Sequence, residues 1–179
     1  VIFSGEYDGS LPTPGLVDRK KVDIGDGKGE RNIPGRGDED IRQNTTANIH
    51  SVSIMQNYYT PELCVGPTEP NGNVFVMDDY NWETEYNPNQ GKYWDEGFAA
   101  DLDGDGDDPG GGSGCNVSYS SMPLAGERKN REWRESFNSK FAMVGNRGVR
   151  DGDTSVRSHI SYEIHGGRRQ WLGNICYND

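Results

Sequence analysis

Hydrophobic side chains make up only 31% of this 179-residue chain, and its mean hydropathy is -0.91. No apolar run approaches the ~20 residues of a membrane span, and the expectation is that a membrane is met only through an N-terminal helix not present in this chain. Positive charge is short as well. Against 29 acidic residues stand 18 Lys and Arg, giving a net charge of -11 and a pI near 4.7. That balance argues against the basic patch on which nucleic acid or an anionic membrane surface docks. Only three histidines occur, His50, His159 and His165, with no HExxH or paired-ligand spacing. Nucleophile-elbow, phosphate-loop and dinucleotide fingerprints are missing. Asp95 and Glu96 are neighbours, a placement that does not put two carboxyls on opposite sides of one glycosidic bond. The expectation is a protein that is not an enzyme.

Cysteine is equally sparse. Cys64, Cys115 and Cys176 form no CxxC pair and no zinc spacing. In an exported protein one bridge is expected, with Cys64 and Cys115 as the pair, and the alternative is three unpaired thiols. Two triplets, Asn44-Thr45-Thr46 and Asn116-Val117-Ser118, are glycosylation candidates consistent with an extracellular or cell-surface location.

What the chain has in excess is glycine and aspartate. Its 25 Gly and 9 Pro favour loops, while 4 Trp and 9 Tyr provide large apolar surfaces around which a modest core can form. The densest acidic run is Asp101-Leu102-Asp103-Gly104-Asp105-Gly106-Asp107-Asp108. Carboxylates this close repel one another unless a cation sits among them. Calcium accepts about six to eight oxygens in flexible geometry, and Asp101, Asp103, Asp105 and Gly106 match the start of an EF-type loop. Gly112 stands where that loop requires a bidentate Glu, so the reading is a calcium loop outside an EF-hand, with Asp107 and Asp108 as ligands or neighbours. The alternative is a solvated acidic turn.

Along the chain, residues 18–43 are charged and glycine-rich without apolar periodicity, which predicts a surface loop. Thr45 or Thr46 is expected to cap a helix running to about Tyr59, closed by Pro61. Strands are expected at Asn73–Asp78, Cys115–Met122, Lys140–Val144, Ile160–Ile164 and Trp171–Tyr177, with a short helix at Glu127–Phe137. Between the first strand and the acidic run, Tyr80, Trp82, Tyr86, Tyr93 and Trp94 sit among polar residues. They form either a sugar platform or ordinary core anchors.

The opening Val1-Ile2-Phe3-Ser4-Gly5-Glu6-Tyr7-Asp8-Gly9-Ser10-Leu11-Pro12 resembles the junction where the N-terminal helix of a type IV pilin-like protein passes into its globular head. His165-Gly166-Gly167 and the closing Leu172-Gly173-Asn174-Ile175-Cys176-Tyr177-Asn178-Asp179 resemble the H-x9-DG end of the pilin-like proteins of planctomycetes, at a longer spacing. The resemblance implies an α+β, pilin-like fold. Residues 1–12 would be the end of an N-terminal helix and its exit turn, and 13–179 a single β-rich, loop-rich head with an antiparallel sheet. It also implies a non-enzymatic subunit of an extracellular filament or type II secretion pseudopilus, self-associating into a helical polymer. Major pseudopilins carry a calcium site in the head, of which the Asp101–Asp108 run would be the counterpart. The competing expectation is a calcium-dependent carbohydrate-binding module that takes a glycan on the five aromatics.

Overall fold

The computed structural model describes residues 9–67, 69, 72–83, 86–100, 114–135, 138–146 and 175–178. The expected helix end over 1–7, the acidic loop over 101–108, the strand over 160–164 and the turn over 165–167 lie outside them. Among the described residues, helix α1 is a single turn at Pro14–Val17, α2 spans Thr46–Met55 and α3 spans Gly126–Glu132. Strands β1 (Tyr119–Ser121), β2 (Asn138–Asn146) and β3 (Ile175–Asn178) form one antiparallel sheet in the order β1-β2-β3. Helix and sheet are mixed, as expected, but the described residues are dominated by loops and turns rather than by strand.

The chain passes repeatedly between two compact units. The first comprises Val1–Tyr59, Asp79–Phe98 and Pro123–Ser136, and the second Thr60–Asp78, Ala99–Met122 and Phe137–Asp179.

Helix α2 is the centre of the first unit. It starts where expected, because the Thr45 side chain accepts the Asn48 N–H and satisfies one of the orphan donors of the first turn. It ends four residues earlier than expected, at Met55, and Pro61 opens a separate 3-10 turn instead of closing it. The stop is Asn57, which adopts the left-handed conformation at φ 59°. Its N–H donates to Ile54 O at 2.8 Å and the Tyr58 N–H to Ser53 O at 3.0 Å, the paired bonds of a Schellman cap. Glycine at this position is expected to hold or raise stability. Asn57→Val is expected to lower it by about 1–2 kcal/mol, because a β-branched residue resists left-handed backbone. Urea unfolding of the two variants checks the sign.

Burial surrounds most of α2, with Ile49, Ser51, Val52, Ser53 and Ile54 all inside. The two serines enter without cost in unpaired groups: Ser53 Oγ donates to Ile49 O, and Ser51 Oγ reaches Asp95 O and the Tyr80 hydroxyl, each at 2.9 Å. Val52, Tyr93 and Trp94 pack together as a core cluster flanked by Val17 and Met55. Helix α3 also stops short of Phe137. After Glu132 the chain turns Trp133 inward, where its indole N–H donates to Pro12 O at 2.8 Å.

In the second unit the run Cys115–Ser118 is fully buried. The expected strand over Asn73–Asp78 reduces to one parallel bridge between Val74 and Cys115, and the expected Cys115–Met122 strand to β1. A side chain takes the place of the missing ladder. Asn116 Oδ1 accepts the Ala99 N–H at 2.9 Å and its Nδ2 donates to Phe75 O at 3.2 Å, so one amide pairs two backbone segments. β2 is longer than expected and carries register irregularities at Asn138/Ala142 and Ala142/Val144.

Candidate functional site

The five aromatics of the expected sugar platform all fall in the first unit, and the structure divides them. Tyr80, Tyr93 and Trp94 are core residues at 5%, 8% and 4% exposure, whereas Trp82 and Tyr86 are 40% and 53% exposed. Tyr80 is tied down further, since its hydroxyl donates to Ser51 O at 2.8 Å. Trp82 leans on Tyr80 with ring centroids 4.9 Å apart and planes at 59°. A flat five-ring platform is therefore not formed: a sugar stacking from solvent meets Trp82 and Tyr86 at most. Period and spacing could not separate these rings, because no regular element carries most of the segment.

Neither sequon asparagine is available in the folded unit that holds it. Asn44 accepts the Gly15 N–H at 2.8 Å and donates through Nδ2 to Glu39 at 2.7 Å and to Leu124 O at 3.1 Å. Gly15 is needed there, because a Cβ would stand 2.3 Å from Asp40 O. Asn116 is 4% exposed with both ends of its amide bonded. In the folded units each has a structural role, with Nδ2, the atom through which a glycan would attach, donating to a partner. The expected Cys64–Cys115 bridge is likewise not made; both residues are buried thiols in the second unit. Burial, with a smaller push from Glu62, raises the Cys64 thiol to about 12, which keeps it protonated and unreactive.

Of the acid pair weighed for catalysis, Asp95 has a structural role. Asp95 is buried and its two carboxylate oxygens accept the N–H groups of Asn81 and Gly97, at 3.0 and 2.8 Å. His50 meets the Tyr59 hydroxyl at 2.9 Å through Nδ1. No group of three or more His, Cys, Asp or Glu that could hold a metal occurs among the described residues. The calcium candidates Asp101, Asp103, Asp105, Asp107 and Asp108 lie outside those residues.

Two concave sites open on the first unit. One is a polar cleft of about 580 Å³ near Asp18, Lys20, Lys21, Asp40 and Arg42. Burial raises the Asp18 carboxyl above its usual range, and the Asp40 and Glu96 charges raise it further. A raised folded-state value means the charged form opposes folding: that cost is complete above the folded pKa and disappears as pH falls below the unfolded one. Asp18→Asn is thus expected to stabilise the protein by about 0.5 kcal/mol at neutral pH, the scale of a screened charge contact. The gain should vanish in acid, which melting curves at pH 7 and below pH 4 compare. Asp40 behaves oppositely, because its bond to Arg42 lowers its carboxyl, so its contribution is lost as pH falls.

The other is a groove of about 580 Å³ bounded by Ser10–Val17 on one side and by α3 with Trp133 and Arg134 on the other. It was not foreseen. The segments that build it are more than a hundred residues apart, and the inward-facing Trp133 is the single sequence signal for it.

No family model, curated protein or solved structure matches the chain.

Proposed function

We propose that this chain is the head of a non-enzymatic, extracellular, pilin- or pseudopilin-like subunit that self-associates into a helical filament. The observation that supports this reading best is β3, at Ile175–Asn178, which pairs antiparallel with β2 through Ala142–Tyr177, Val144–Cys176 and Gly145–Ile175. Ile175–Asn178, part of the C-terminal run that resembles the end of the pilin-like family, is a strand of an antiparallel sheet, which supports the reading. The head's acidity suits a solvent-facing role, since excess charge of one sign keeps a surface soluble.

Asp101, Asp103 and Asp105, with Asp107 and Asp108 beside them, are the residues that would hold calcium. The ion would supply the positive charge those carboxylates need to stay close. Sedimentation of the native gene product in calcium and in EGTA tests the reading. A pelleting polymer in calcium that falls apart in EGTA is expected; a protein that stays in the supernatant under both conditions overturns it. Exposed Trp82 and Tyr86 favour glycan binding as the second reading, which predicts glycan-array signal lost on Trp82→Ala.

A further inference from the structure

We propose that the groove beside α1 and α3 is a binding site for a small carboxylate with an apolar body, such as an aryl- or alkyl-carboxylic acid. Its volume of about 580 Å³ lies within the range of small-ligand clefts, roughly 300–1,000 Å³. Leu11, Leu16, Val17 and Trp133 supply apolar surface, in a chain with little of it. Leu16 leaves 42% of its surface uncovered on α1. The Trp133 N–H is already bound to Pro12 O, so that ring offers a ligand only its apolar body.

Charge selects the rest of the ligand. Among the described residues, Arg19, Lys129 and Arg134 line the groove and no Asp or Glu does, although acidic residues outnumber basic ones 29 to 18 over the whole chain. Lys129 is held by Glu39 in an ion pair. Arg19 is different: its Nε donates to Leu16 O and its Nη1 to Gly37 O, both at 2.9 Å. Backbone carbonyls orient the guanidinium, Glu39 acts on it only through space rather than by an ion pair, and Nη2 is left to donate to an incoming anion. Gln56 and Asn130 add neutral amides at the rim. An amine finds no carboxylate among the described lining residues, and a fully polar ligand would meet an apolar wall that offers it no hydrogen bonds.

The site stands independently of the assembly reading, so either can fail alone. Its test is a titration of the intact chain with 3-phenylpropanoate, 3-phenylpropanol and 3-phenylpropylamine, followed by calorimetry and by the Trp133 indole N–H resonance. Expected are saturable one-to-one binding of the carboxylate with a shift of that resonance, at least about tenfold weaker binding of the alcohol, and none of the amine. Arg19→Gln should weaken the carboxylate about tenfold and leave the alcohol unchanged. Leu16→Asp, at an exposed position that leaves the fold intact, should abolish both. Equal affinity for acid and alcohol, indifference to either substitution in a folded variant, or no saturable binding up to about 10 mM would overturn the proposal.

Discussion

Alanine in place of Trp94 is expected to cost the first unit about 3–5 kcal/mol, the range for removing a large aromatic from a core. Trp94 is 4% exposed and packs with Tyr93 and with Val52 of helix α2, so its removal opens a cavity in that cluster. Trp82→Ala should cost about 1 kcal/mol, because that ring is 40% exposed and loses its contact with Tyr80 and a long indole N–H bond of 3.4 Å to Ile54 O. Urea unfolding followed by circular dichroism measures both. The contrast also decides how any loss of glycan binding is to be read: at Trp94 it would report unfolding, at Trp82 a lost contact. Equal costs at the two positions would contradict the division of the aromatics into core and surface.

Calcium removal carries the second large effect. An ion that binds only the folded state, present at a hundred times its dissociation constant, adds about 2.7 kcal/mol of stability. For a chain of this size that corresponds to about 5–10 °C in melting temperature. Scanning calorimetry in calcium and in EGTA should show a shift of this size. The double substitution Asp103→Asn and Asp105→Asn should melt at one temperature in both buffers. Magnesium should not substitute, because it prefers octahedral sites that retain water. Identical melting of the unsubstituted chain with and without calcium would remove the ion from the account.

The start of α2 was legible in the sequence because Thr45 is a capping residue ahead of a helical stretch, and a cap acts through neighbours in the chain. Its end was not. Asn57 takes the left-handed conformation there, a choice that Asn permits but does not require, so the residue alone could not announce it. β2 and β3 were legible from their apolar character. The strand expected at Asn73–Asp78 shrank to the Val74–Cys115 bridge because the next pairing is made by a side chain: Asn116 binds Phe75 O and the Ala99 N–H, and no periodicity in 73–78 encodes a residue forty positions away. Asn116 and Asn44 carry the triplet for a glycan, and the sequence alone does not show that in the folded units each is bonded at both ends of the amide. The groove was invisible for the same reason as the Asn116 bridge: Arg19 and Trp133 are brought to it by tertiary folding alone.

Electron microscopy of the native source material with gold-labelled antibody against residues 9–67 is the decisive test of the proposed filament. Expected is label spaced along long, regular fibres that shorten or disappear in EGTA. Label confined to dispersed particles, with no fibres in calcium, would contradict it.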